Sequence, residues 1–182
     1  MQSIKNFLNT AFDIVKVVVV SAAIIIPIRT FVFQPFFVRG ASMVPSFHNG
    51  DYLLIDELSY RFNEPQRGDV IVFRYPRDPS QFYIKRIVGL PGERVAIKDG
   101  KVSVFSEGKE IDLSESYIAK DYKVEDKEFI AGPDEYIVFG DNRTQSSDSR
   151  VWGAVPRKNL IGKVFLTAWP PTAFSVFAAP EY

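Results

Sequence analysis

At 182 residues the chain is long enough for one well-filled domain, or for a domain carrying an appendage. Lys plus Arg and Asp plus Glu number 22 each, so there is no basic excess to hold nucleic acid, and the lack of cysteine removes disulfides, thiol catalysis and thiolate metal sites together. A single histidine gives no basis for a histidine-ligated metal, and no cofactor is expected.

The polar residues Lys5, Asn9, Asp13 and Lys16 form one stripe at helical spacing, which predicts an amphipathic helix over residues 3–16. From Val17 to Ile28 twelve consecutive residues carry no charge. At about 1.5 Å per residue they cover roughly 18 Å, against a bilayer core of roughly 30 Å. The deficit closes if Ile14 and Val15 are included, Lys16 snorkels, and Phe31 and Phe33 sit at the opposite interface. A cleavable leader lacks a pair of small residues after the run, and a buried core helix has little other helical periodicity to pack against. The expectation is an uncleaved membrane anchor over residues 1–33, a single pass through the cell membrane. Lys5 and Lys16 before the run, set against Arg29 and Arg39 after it, favour a cytoplasmic N-terminus and hence the rest of the chain on the outer face.

Beyond Arg29 the pattern turns strand-like. "DYLLIDEL", "GDVIVFRYP", "FYIKRIVGLPG", "RVAIKDGKVSVF" and "DEYIVFGDN" are short apolar or alternating runs divided by Gly, Pro and Asp. They predict a mainly β domain over residues 34–182, an antiparallel sheet or barrel-like structure. Asp99-Gly100 is the strongest hairpin signal. The charged stretch "SEGKEIDLSESYIAKDYKVEDK", 106–127, reads as a solvated excursion. The proline-broken "AWPPTAFSVFAAPEY" is too short for a second span and could touch the membrane surface or pack on the core.

The chemistry centres on "RGASMVPSFHNGD", residues 39–51, which offers Ser42 as a candidate nucleophile in need of an unprotonated partner. His48 is the obvious base by residue type, but Asn49-Gly50 places it at a loop tip. Lysine is the alternative base. A lysine of ordinary pKa is neutral only about once in 2,500 at pH 7, so a working lysine must be desolvated. In "QFYIKRIVGLPGE" strand alternation sets Tyr83, Lys85 and Ile87 on one face, giving Lys85 apolar neighbours; an ordinary half-exposed strand lysine has the same pattern.

Four stretches taken together, "GASMVPS", "RGDVIVFRYP", "YIKRIVGLPGE" and "GDNRTQSSDSRVWGAVP", resemble the boxes of type I signal peptidases, in order, over roughly residues 36–170. The resemblance implies a membrane-bound serine endopeptidase that removes N-terminal signal peptides from exported preproteins. Its partners would be those signal peptides and the lipid bilayer. Ser42 would be the nucleophile and Lys85 the general base. Ser146 matches the serine that hydrogen-bonds the lysine, Asp148 and Arg150 a supporting ion pair, Asp141 and Asn142 the opening of the last box, and Arg86 the arginine after the lysine. Met43 and Pro45 match as written, while Ser46 stands where most members have threonine and keeps the hydroxyl. Gly40 stands where some members carry an oxyanion-hole hydroxyl, which leaves backbone N–H groups, Ser42 first, to hold the oxyanion. Phe36, Val38, Met43, Phe47 and Ile84 would line pockets for small residues, typically alanine, at the first and third positions before the cut. A non-catalytic anchored β-domain that binds extended peptides is the alternative from another class. A self-cleaving Ser/Lys repressor would need a DNA-binding helical domain before residue 40, and none is visible.

Overall fold

The computed structural model describes residues 10–23, 33–118, 122, 124–180 and 182. Residues 10–23 form helix α1. The expected amphipathic helix falls partly within it and the expected span only to residue 23, since residues 1–9 and 24–32 lie outside the described residues. No helix of the described residues is long and apolar enough to cross a membrane. On α1, Phe12, Ile14, Val15 and Val17 to Val20 are each more than half exposed.

The remaining chain is mainly β, as the alternating runs predict. An eight-stranded antiparallel sheet contains β1 (Phe33–Phe37), β2 (Tyr52–Asp56), β3 (Val70–Tyr75), β4 (Asp78–Gly89), β9 (Glu135–Phe139), β10 (Val155–Pro156), β11 (Leu160–Trp169) and β12 (Ser175–Val176). Its order is β1-β2-β11-β3-β4-β9-β10, with β12 on β11. A second sheet, in the order β7-β6-β5-β8, is built from β5 (Arg94–Lys98), β6 (Lys101–Ser106), β7 (Lys109–Asp112) and β8 (Lys127–Ile130). Two single-turn helices, α2 (Ser59–Phe62) and α3 (Ser149–Trp152), sit between strands.

Strand β3 shows how the core is divided. Its four apolar residues are all buried, and alternation sends Val70 and Val72 into one cluster with Val38, Met43 and Phe47, and Ile71 and Phe73 into another with Ile87, Tyr136 and Trp152. The sheet is thus covered on both faces at its centre. A third cluster joins the sheets through Val95, Ile97, Val102 and Val104, which pack on Val88, Ile137 and Phe139. Asp99 and Gly100 turn the β5–β6 hairpin with φ of 50° and 76°, the left-handed pair that a two-residue hairpin turn requires.

Two segments bear on the expectations set for them. Most described residues of the 106–127 stretch are exposed, as expected, all four of β7 included, but β7 extends the second sheet, Leu113 is buried, and Glu115 forms an ion pair with buried Arg143. Glu115 reads as surface because its partner lies far along the chain. The C-terminal tail packs on the core, with β12 against β11 and the Phe177 ring 5.8 Å from that of Phe47.

At Gly162, on β11, an added Cβ would overlap the Asp56 carbonyl oxygen and stand 2.9 Å from its carbonyl carbon. Gly162→Ala is expected to cost about 1–3 kcal/mol by forcing β11 from β2. Urea unfolding checks this, and an unchanged midpoint contradicts the close crossing.

Candidate active site

The loop from β1 to β2 is closed by backbone hydrogen bonds from Val38 N–H to the Asp51 carbonyl and from Gly50 N–H to the Val38 carbonyl. Within it the Gly40 N–H donates to Asn49 Oδ1 at 2.9 Å, while Met43 and Phe47 are anchored in the core. Ser42 is held from the opposite side. The Asn142 N–H donates to the Ser42 carbonyl at 3.0 Å, and Asn142 Nδ2 to the Ala41 carbonyl at 3.0 Å. Gly140 permits that approach, because a Cβ there would stand 2.5 Å from the Ser42 carbonyl oxygen.

Lys85 comes from the middle of β4, opposite Ile71 of β3, and is 4% exposed. Its Nζ lies 2.7 Å from Ser42 Oγ and 2.8 Å from the Ile84 carbonyl oxygen, with the Tyr83 ring centroid 5.5 Å away. Burial pushes the Lys85 amine down to about 8. Asp148 and Asp141 pull the other way, and Arg150 adds to the depression.

Each of those carboxylates has its own arginine. Arg86 Nη2 lies 2.6 Å from Asp141 Oδ2, with both side chains almost fully buried, and Ser46 Oγ donates to the same oxygen at 2.6 Å. This gives the Ser46 hydroxyl a definite task. Arg150 Nε lies 2.7 Å from Asp148 Oδ1, and Asp148 Oδ2 accepts from the Gly140 N–H at 2.9 Å. Asp148 also caps α3 by accepting from the Arg150 N–H.

A cleft of about 540 Å³ runs past Ser42 and Lys85. Phe36, Val38, Ile84 and Gly40 line it, as do Phe82, Tyr83, Gln145 and Ser147, which the sequence did not assign to a pocket. Met43 and Phe47 do not line it: the loop turns both beneath Ser42 into the core, where they are 1% and 3% exposed. The expected hydrogen bond from Ser146 to Lys85 is also missing; Ser146 Oγ is buried without a hydrogen-bond partner among the described residues. The Gly40 N–H is already committed to Asn49, whereas the Ser42 N–H makes no hydrogen bond among the described residues. His48 is exposed and lies outside the cleft.

Arg143, quoted within the last box but given no role, carries a buried support: it bonds Glu115 and the Tyr122 hydroxyl, and its Nε donates to the Gly140 carbonyl. Tyr117 places its ring 3.9 Å from the Arg86 guanidinium carbon. Local periodicity held no signal for Glu115 or Tyr117, because their partners, Arg143 and Arg86, lie far away in the sequence.

A serine hydroxyl against a desolvated lysine amine, in an open cleft, has the geometry of a serine hydrolase that works without histidine. A family model described as "Signal peptidase, peptidase S26" matches residues 11–169. A probable signal peptidase I-2 of Synechocystis sp. is 39% identical over 168 residues, covering 89% of this chain and 75% of that protein. A signal peptidase I of Leptolyngbya laminosa is 36% identical over 175 residues, covering 91% and 83%. A signal peptidase I of Bacillus caldolyticus is 33% identical over 171 residues, covering 86% and 90%. The chain belongs to the signal peptidase family, peptidase S26, and is a serine peptidase.

An unfolded lysine keeps its proton up to about 10.5, whereas the folded Lys85 releases it near 8. Between those values folding releases a proton, so stability rises with pH across that window. Below it the buried charge costs on the order of 3 kcal/mol. Lys85→Met is therefore expected to raise the urea midpoint at pH 7, with the gain shrinking as the pH passes from 8 to 10.5. A pH-independent difference would contradict this.

Proposed function

We propose that the chain is a membrane-bound endopeptidase that removes signal peptides by an acyl-enzyme route, with Ser42 as nucleophile and Lys85 as general base. The observation that carries the reading is the 2.7 Å contact between Lys85 Nζ and Ser42 Oγ with Lys85 desolvated. Neutral Lys85 takes the Ser42 proton as Oγ attacks the carbonyl carbon of the scissile bond. The Ser42 N–H faces the developing oxyanion, the role to which its freedom from other acceptors suits it. Collapse breaks the C–N bond, and the Lys85 ammonium protonates the departing amine, leaving an ester on Ser42. Lys85 then takes a proton from water, whose oxygen attacks the ester carbonyl; the acid leaves and Ser42 regains its proton.

Substrate lies extended in the cleft, between the end of β1 and the Phe82 to Lys85 part of β4. Phe36, Val38 and Ile84 narrow the cleft beside the dyad and favour small residues, alanine above all, at the first and third positions before the cut. Arg86, Asp141, Asn142, Asp148 and Arg150 act as positioning residues. Residues 1–33 form the anchor and 34–182 the peptidase domain. Support for the anchor comes from α1, whose apolar side chains are exposed on every side, as suits a helix surrounded by lipid. The peptidase domain would then stand on the outer face.

The test is cleavage, by the full chain in lipid vesicles, of a preprotein with an Ala-x-Ala site. Ser42→Ala is expected to abolish cleavage and Lys85→Ala to slow it roughly 10²–10⁴-fold. Because the neutral amine is the active form, the rate should climb with pH and level off above about 8. Activity left undiminished by Lys85→Ala, or a flat pH profile, would overturn the dyad.

A further inference from the structure

A second cavity, of about 380 Å³, opens on the far side of Phe82, whose ring lines both it and the catalytic cleft. Arginines from three separate elements line its wall: Arg61 of α2, Arg74 of β3 and Arg157 between β10 and β11. Arg61 and Arg74 are exposed and Arg157 half-buried, so solvent softens the repulsion among these like charges, which an opposite charge would offset further. The fold supplies little. Arg74 Nη1 donates to the Pro79 carbonyl at 3.2 Å and Arg157 Nη2 to the Tyr60 carbonyl at 2.7 Å. Glu64 stands 3.6 Å from Arg157 Nε, but its side chain is 87% exposed. The Arg61 guanidinium makes no hydrogen bond or ion pair among the described residues. With five N–H donors on each guanidinium, most remain free.

Glu57 is the one carboxylate on the wall, and its Oε1 is buried without a hydrogen-bond partner. Burial raises its pKa against the opposing pull of Arg61, which weakens it as a counter-ion. Gln34 of β1 adds a neutral polar group. Arginines brought to one cavity from three elements suit an anion with several oxygens in tetrahedral array better than a planar carboxylate, which one arginine satisfies in bidentate fashion.

We propose that this cavity binds a phosphate group, with Arg61, Arg74 and Arg157 as its ligands. The phosphate comes from a phospholipid headgroup or from a soluble phosphate; the first source rests on the membrane reading of α1 and the second does not. Gln34 lies in the strand that the chain enters after α1, which puts the cavity close in sequence to the proposed anchor.

The experiment is calorimetric titration of the full chain in non-ionic detergent, with inorganic phosphate and separately with a short-chain phosphatidylglycerol below its micellar concentration. The variants are Arg61→Gln with Arg74→Gln, Arg61→Gln alone, whose side chain supports no other group, and Lys98→Gln with Lys101→Gln on the second sheet as a charge-matched control. The unaltered protein is expected to bind at least one probe. The paired arginine variant should weaken that binding about tenfold or more, the single variant should weaken it measurably, and the control should leave it unchanged. Binding of both probes assigns the site to phosphate in general, and binding of the lipid alone assigns it to a headgroup. The proposal is overturned if neither probe binds, if the control weakens binding as much as the arginine variants, or if an oligo-glutamate peptide binds through these arginines while both phosphate probes fail.

Discussion

The removal of water from one amine, that of Lys85, is the constraint to which the rest of the site answers. A lysine is seldom buried, and burying its charged form is costly, so the amine gives up its proton more readily the better it is enclosed. Enclosure comes from its place in the sheet. β4 lies between β3 and β9, and Lys85 stands opposite Ile71 with Tyr83 on its own face. Two carboxylates nearby, Asp148 and Asp141, would restore the charge if they stood alone. Each is instead engaged by an arginine, Arg150 and Arg86, so that the attraction exerted on Lys85 is weakened at its source. The ion pairs therefore do more than brace the loops: they keep the acids present without letting them dominate the amine.

The same pairs position the nucleophile. Asp141 takes the Ser46 hydroxyl and Arg86, while its neighbour Asn142 grips the Ser42 and Ala41 carbonyls. Arg143 carries the support outward to Glu115 and Tyr122, and Tyr117 covers Arg86. Ser42 thus sits between a loop anchored by core residues Met43 and Phe47 and a polar layer anchored by buried arginines. Removing one partner of such a pair strands a buried charge, which costs more than the pair itself contributes to stability. This is why the connection between β7 and β8, remote from the chemistry, still bears on the position of the nucleophile.

How far the sequence could be read followed the range of the interactions. Alternation along β4 placed Tyr83, Lys85 and Ile87 on one face, and both Lys85 and Ile87 are buried. The Asp99-Gly100 turn and the central "VIVF" strand were legible because a hairpin turn and a strand buried on both faces each leave a local pattern. The pairing of Ser42 with Lys85 was not local, and only the resemblance of the boxes linked them. Pocket residues were misread where the loop geometry decided: Met43, next to Ser42 in sequence, points into the core rather than the cleft. Within segment 106–127 Glu115 and Tyr117 were misread, because they find their partners, Arg143 and Arg86, across the fold. The Ser146 hydroxyl, unpartnered among the described residues, differs from what the resemblance implied; it packs against Gly140 rather than reaching the amine.

The account stands or falls on the protonation state of Lys85. Isotope-labelling of the lysines, with Lys85→Met to assign the signal, allows the ε-carbon shift of Lys85 to be followed by NMR as a function of pH in the full chain. The account predicts a single titration centred near 8. A midpoint near 10.5, the ordinary value, would mean that the amine is charged at working pH and would contradict the claim that burial makes Lys85 a base for Ser42.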